Sequence, residues 1–379
     1  MKKYFAIISI FLIGSILSFI AFQKSVNNPN QIKIQSHSLK TKAMSFKEFN
    51  SSVSISAIGD VLIHHPVYED AKIKDGVYDF KPMIKNVKNL LSDADFTMAN
   101  QESMIGGTEL GLSSYPSFNS PFEVADALHD AGVDLVSIAN NHTLDRGEAA
   151  ILNAISHYQN IGMYYVGSYK NREDANTLRV INVNGIKLGF LSYTYGTNGI
   201  PVPKDKPYLV NLIDRQKIKE DLQRLKHEAD VIIVNMHWGI EYQPYPTEEQ
   251  KQLAKFLTNH GAHVIIGHHP HVLQPMEWVE GENGQKSIVI YSLGNFLSAQ
   301  KGNGKDIGGI FTLQIEKKMN GDSKNLTLRN PQIIPTIVLS HGSRNYQIQV
   351  LKDINEKKYD EVIKHMEQWL QTNEETIVQ

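Results

Sequence analysis

From position 53 onward, short apolar runs alternate with amphipathic stretches. Apolar runs bounded by turn residues read as strands, and apolar positions recurring every three or four residues read as helices. Strands are predicted at 53–60, 95–100, 134–140, 163–166, 230–235, 262–267, 287–293 and 307–315. A hairpin is predicted over 178–193, turning at Asn184-Gly185. Helices are predicted at 80–91, 147–160, 215–229, 248–261 and 351–370, and at 121–131 with Ser120 as N-cap. The β-α-β alternation argues for an α/β layered domain.

The first residues follow another pattern. Lys2 and Lys3 precede an uncharged run at 4–22, long enough to span a bilayer as a helix. Positive charge before the run favours a cytoplasmic N-terminus with the rest outside the membrane. A cleaved signal peptide is the rival reading; the lack of a small-x-small site after Phe22 favours an uncleaved single-pass anchor. The expected organisation is an anchor or signal segment at 1–24, a polar linker at 25–51, one large domain at 52–345 and a helical extension at 346–379.

Composition narrows the chemistry. Lys+Arg total 38 against Asp+Glu 40, a net charge of -2, so the chain lacks the basic footprint of a nucleic-acid binder. Cysteine is absent, which excludes disulfides, a thiol nucleophile and cysteine-ligated zinc. Any metal must rest on His, Asp, Glu or Asn, and polar residues of these types follow five predicted strands: Gly59-Asp60, Asn100-Gln101-Glu102, Asn140-Asn141-His142, His237-Trp238-Gly239 and Gly267-His268-His269-Pro270-His271. In open α/β folds, sites gather at the carboxyl ends of strands. Taken singly, each has a bland reading: Gly-Asp as a turn, Asn-Asn-His as a helix cap, His237 as a core-edge histidine. Three histidines in four positions have little structural use, because burying them demands partners. Imidazole, amide and carboxylate together suit Mn, Zn or Fe, and their number exceeds one tetrahedral site and fits two metals.

These motifs, with Ser137-Ile138-Ala139 before Asn140, Asn235-Met236 before His237, Glu241-Tyr242, and Tyr291-Ser292-Leu293-Gly294-Asn295-Phe296, resemble the CapA family of poly-γ-glutamate capsule biosynthesis proteins, within the calcineurin-like metallophosphoesterases. The resemblance implies an αββα sandwich behind the N-terminal transmembrane helix, and two divalent metals. By the same resemblance Asp60 and His271 bind the first metal, Glu102 bridges, Asn141, His237 and His269 bind the second, and His142 is the catalytic acid. Asn100, Asn140, Trp238, His268 and Asn295 are expected to contact substrate, and Arg146 is a candidate anion contact. Three positions depart from the phosphoesterase pattern: Leu62 where a histidine is usual, with His64 and His65 as possible replacements; Glu102 for aspartate; and Thr143 after Asn-His. Two functions follow from the resemblance. One is an extracytoplasmic hydrolase of a phosphoester or γ-glutamyl amide. The other is a non-catalytic subunit that binds nascent poly-γ-glutamate beside other capsule synthase subunits.

Overall fold

The computed structural model describes residues 49–282, 284–321, 323–370 and 376–378. The expected membrane segment lies outside them. Among the described residues, no helix is long and apolar enough to cross a membrane.

The strands of the first half are β1 (Phe49–Val61), β2 (Lys72–Lys74), β3 (Val77–Tyr78), β4 (Phe96–Gln101), β5 (Leu135–Ser137), β6 (Tyr164–Val166), β7 (Arg179–Val183) and β8 (Ile186–Thr194). Those of the second half are β9 (Val231–His237), β10 (Val264–His268), β11 (Leu273–Glu280), β12 (Lys286–Leu293), β13 (Asn295–Leu297), β14 (Ile307–Asn320), β15 (Ser323–His341), β16 (Arg344–Val350) and β17 (Thr376–Val378). They form two large sheets. The first runs β16-β15-β14-β1-β4-β5-β6, with β13 beside β1 and β17 beside β15; the second runs β11-β12-β10-β9-β8-β7. β2 and β3 make a separate hairpin. β1, β4, β5 and β6 are parallel neighbours, as are β8, β9, β10 and β12.

Successive side chains point to opposite faces of a strand, which explains why these strands read as continuous apolar runs: both faces are covered. Ile55, Ala57, Phe96, Met98 and Leu135 meet Val231, Ile233, Val264, Ile266, Ile288 and Ile290 in a core between the sheets. The alternate residues Ile58, Ala99 and Val136 pack under helices α4 (Glu123–Asp130) and α5 (Gly147–Ile161). Those preceding them are the short α1 (His65–Ala71), α2 (Lys81–Ile84) and α3 (Lys88–Ser92). On the far side Ile232, Val234, Met236, Ile265 and Val289 pack under α7 (Arg215–Lys226) and α8 (Glu248–Asn259), after the short α6 (Arg172–Asn176). The order of layers is helix, sheet, sheet, helix.

Helix boundaries follow local chemistry. Thr247 and Gln250 close a capping box on α8, and Asp214 caps α7. Ser120 does not cap α4; its hydroxyl donates to Ser103 Oγ instead. The predicted helix at 80–91 is broken into α2 and α3. The stretch at 351–370 carries α9 (Leu351–Ile354) and α10 (Glu356–Glu367), the latter capped by Asn355.

Candidate metal centre

The two sheets meet at their carboxyl ends because two glycines let backbone touch backbone. A Cβ on Gly59 would lie 2.0 Å from Gly294 O, so only glycine allows the end of β1 this close. Gly294, at φ +61°, carries the chain from β12 in one sheet to β13 in the other, and Asp60 N–H donates to its carbonyl at 2.8 Å. Asp60 thereby reaches the histidine turn after β10. His269 and His271 both adopt positive φ, +96° and +58°, a conformation costing roughly 1–3 kcal/mol for a residue with a Cβ. That turn is held by His269 N–H donating to Asp60 Oδ2 at 3.3 Å and Tyr242 N–H donating to Pro270 O at 2.7 Å.

Asp60, Glu102, Asn141, His142, His237, His269 and His271 converge in one buried cluster; none is more than 5% exposed. One donor atom each from Glu102, His237 and His269 lie within 4.8 Å of one another, and so do those of Asp60, Glu102 and His271. Glu102 is common to both groups. A third group joins exposed Glu241 to His269 and His271. His237 Nε2 faces Asn141 Oδ1 at 2.9 Å, and His271 Nδ1 faces Asp60 Oδ2 and Asn295 Oδ1, each at 3.1 Å.

The cluster is electrostatically unfinished without a cation. Both Glu102 carboxylate oxygens are buried with no hydrogen-bond partner, though His237 Nε2 and His271 Nε2 stand 3.7 Å from Oε1. His269 Nδ1 and Asn100 Oδ1 are likewise unpartnered. Buried polar atoms are normally paired, so these orphans, all of metal-ligating type, fit a divalent cation. Burial drives Glu102 well above the usual carboxylate range, with Asp60 and Glu241 adding to the rise against His271. Burial also acts to raise Asp60, but contacts with His268 and His271 outweigh it and hold Asp60 well below its ordinary value. His271 is carried to about 9: Glu102 and Asp60 override its burial. Burial takes His269 down to about 3, and His237 also falls well below the imidazole range.

His142 sits beside these groups with its Nδ1 2.7 Å from Asp145 Oδ2, which also accepts the Phe118 N–H at 2.7 Å. The Phe118 ring meets His142 edge-on at 4.7 Å. This geometry fixes the imidazole and leaves Nε2 for other chemistry.

The five residues expected to touch substrate are all at most 2% exposed and make contacts inside the protein, though Asn100 Oδ1 and His268 Nδ1 have no hydrogen-bond partner. Asn100 donates to Asp60 Oδ1; Asn140 donates to Gln101 O and accepts from His142 N–H. The Trp238 indole donates to Tyr291 O across Gly267, within the core. His268 stands 3.5 Å from Asp60 Oδ1, outside the three donor groups, and Asn295 donates to Lys305 O. Arg146 is no anion contact, because it donates to Leu110 O, Gly111 O and Ser113 Oγ. His64 Nδ1 lies 3.0 Å from Leu62 O, and His65 is exposed against Tyr68; neither joins a donor group. Three neighbours were given no role by sequence reasoning: Glu241, beside His269 and His271; Tyr195, whose ring lies against His269; and Asn198, which accepts from Asn141 Nδ2 at 3.3 Å. Glu241 stood in a quoted motif, Glu241-Tyr242; Tyr195 and Asn198 carry no comparable mark.

The profile of the family described as "Bacterial capsule synthesis protein PGA_cap" matches residues 54–300, from β1 through the histidine turn and β13. The chain belongs to the PGA_cap family. Among PGA_cap relatives, the capsule biosynthesis protein CapA of Bacillus anthracis is 28% identical over 265 residues, 66% of this chain and 61% of that protein. The chain thus spans less than two thirds of that relative's length. The PGA biosynthesis protein CapA of Bacillus subtilis (strain 168) is 26% identical over 274 residues, 69% of this chain and 67% of that one. Among solved structures, a Staphylococcus aureus protein provisionally described as a 5'-nucleotidase, in complex with alpha-ketoglutarate, aligns at a TM-score of 0.47 and 17% identity, covering 82% of this chain and 58% of that one.

Proposed function

We propose that this PGA_cap protein acts in the synthesis or export of a poly-γ-glutamate capsule as a dimetal hydrolase of the metallophosphoesterase type. On this reading it is anchored by residues 4–22 with its α/β domain outside the membrane, where an anionic polymer and other synthase subunits meet it. The observation that carries the reading is Glu102: a fully buried carboxylate, unpartnered at both oxygens and shared by two donor groups. The family names of the Bacillus relatives support the capsule assignment.

Asp60, Glu102 and His271 would hold one ion; Glu102, Asn141, His237 and His269 the other. Mn, Zn or Fe suits such nitrogen and oxygen donors. When bound, the ions supply Lewis-acid stabilisation of charge developing on the reacting group. The chain's own residues do the rest. Asp145 accepts from His142 Nδ1 and fixes the ring, so that Nε2 is aimed to deliver a proton to the leaving oxygen or nitrogen. Asn100 and Asn295 orient Asp60 and His271 from behind. The bond cleaved is a phosphoester or a γ-glutamyl amide.

A second reading, a polymer-binding subunit without turnover, is favoured by Leu62, which leaves the first donor group with a single imidazole. One experiment separates the two. The purified protein is analysed for metal and assayed on a phosphoester panel and on poly-γ-glutamate, with and without Mn or Zn, beside His142→Ala. Turnover lost in the variant with metal retained supports the hydrolase. Absence of turnover with metal-dependent polymer binding supports the subunit. A protein that binds no metal refutes both.

A further inference from the structure

The buried cluster needs a group that selects what approaches it, and exposed Glu241, beside His269 and His271, would not attract an anion. Two half-exposed tyrosines flank the histidine row. The Tyr195 ring lies 4.7 Å from His269 and stacks near-parallel to His237 at 6.3 Å; the Tyr242 ring lies 6.0 Å from His271. Their exposures, 49% and 46%, contrast with the buried imidazoles beneath them. Over the Tyr242 ring, 5.1 Å from its centroid, stands the ammonium of Lys305.

The position of Lys305 is built. Its carbonyl accepts from Asn295 Nδ2 at 2.8 Å, and Asn295 Oδ1 faces His271 Nδ1 at 3.1 Å. Asn295 also donates to Gln300 Oε1, and Gln300 donates to the Tyr242 hydroxyl at 3.3 Å. One asparagine thus ties the loop that carries the cation to the metal-type histidine and to the tyrosine. Among the described residues no carboxylate lies within 4.0 Å of the Lys305 ammonium, although Glu241 bears on the Tyr242 hydroxyl, and Lys305 is only partly exposed. An ammonium held over an aromatic face, with its charge not neutralised, attracts an oxyanion.

We propose that Lys305, backed by Tyr242 and faced across the histidine row by Tyr195, is the anchor for an oxyanion of the substrate, a carboxylate or a phosphate, beside the group that is cleaved. This rests on the reading of the cluster as a metal-dependent site for an anionic substrate. It also assigns the selectivity that the chain's net charge of -2 does not supply.

The test uses the full chain loaded with Mn and measures binding of poly-γ-glutamate and, separately, of inorganic phosphate. The proteins are wild type, Lys305→Ala, Lys305→Arg and Lys352→Ala. Lys352 is a control, because it also stands over a tyrosine, Tyr359, but on α9. Lys305→Ala should weaken binding about ten- to hundredfold at unchanged Mn content and with a shallower salt dependence. Lys305→Arg should recover most of the loss, and Lys352→Ala should match wild type. A loss for the polymer alone identifies a carboxylate anchor; a loss for both probes identifies a general oxyanion anchor. Wild-type affinity in Lys305→Ala for both probes overturns the inference and leaves the metal-site reading standing. Failure of the Mn-loaded wild type to bind either probe overturns both.

Discussion

Replacing Glu102 by glutamine tests the centre at its most exposed assumption. The change preserves shape and removes the charge. Without added metal it should cost little: burial opposes the carboxylate's charge, and its oxygens have no hydrogen-bond partners to lose. Orphaned polar atoms carry a penalty of about 1–3 kcal/mol each in either protein, so the difference should stay within roughly 1 kcal/mol. With metal the proteins should part. At 100 times Kd a ligand that binds only the folded state adds about 2.7 kcal/mol. Loss of a shared charged ligand should weaken binding by at least the roughly 100-fold that even outer partners reach. The variant then gains only about 0.4 kcal/mol at the same metal concentration. The gap of about 2.3 kcal/mol corresponds to roughly 3–4 °C in Tm for a domain of about 300 residues. Thermal unfolding followed by circular dichroism, in chelator and in Mn, reads both numbers. If Glu102→Gln melts lower than wild type by the same interval in both conditions, Glu102 is a structural group and the argument from its orphaned oxygens fails.

Other sites give independent expectations. Gly59→Ala drives a Cβ into Gly294 O and Leu293 O; it should cost about 1–3 kcal/mol or more and reduce metal content, read by chemical denaturation and elemental analysis. Asp145→Asn should keep the fold and the metal but lower turnover about 100-fold or more, since His142 Nδ1 loses the carboxylate that orients it. His263 offers a pH test away from the centre: its Nδ1 accepts the Ile232 N–H at 2.8 Å, and burial, aided by Lys324 and Lys226, takes it down to about 4. The unfolded imidazole titrates near 6.5, so this contribution is complete above about pH 6.5 and is lost as pH falls through about 4, an upper bound of roughly 3 kcal/mol. His263→Asn, which keeps an acceptor but cannot titrate, should flatten that part of the urea-midpoint curve between pH 7 and 4; an unchanged slope would show that other groups cause it.

The parallel core was legible because strands buried on both faces leave unbroken apolar runs such as Val231-Ile232-Ile233-Val234. The cluster was legible because polar residues just past such runs have no packing use. The 19-residue β15 was not. Its Asn330-Pro331 reads as a turn, yet Asn330 sits at φ +52° inside the strand, where the pairing with β14 shifts register between Thr312 and Gln314. Its buried residues Leu326, Leu328 and Ile333 are scattered among exposed lysine and asparagine. For Trp238, Asn140 and Asn295 a motif shows that a residue sits beside the chemistry but not which way its side chain turns, and the structure gives each a hydrogen-bond partner inside the protein. Arg146 likewise looked available until its carbonyl partners were visible.

The crossing at Gly294 has a consequence for when the centre comes into being. Its donors are drawn from both sheets and run from Asp60 to His271, with Asn295 behind them. Neither of the two donor groups that share Glu102 comes from a single sheet, so that shared centre closes only after the two sheets have docked, a late event for contacts so distant in sequence. A half-finished chain offers an ion nothing but scattered ligands. For a domain that crosses a membrane before folding, as proposed, the ion is then chosen by what the medium outside contains and not by the cytoplasmic pool. The growth environment, more than the ligand set, would decide which metal the mature protein carries.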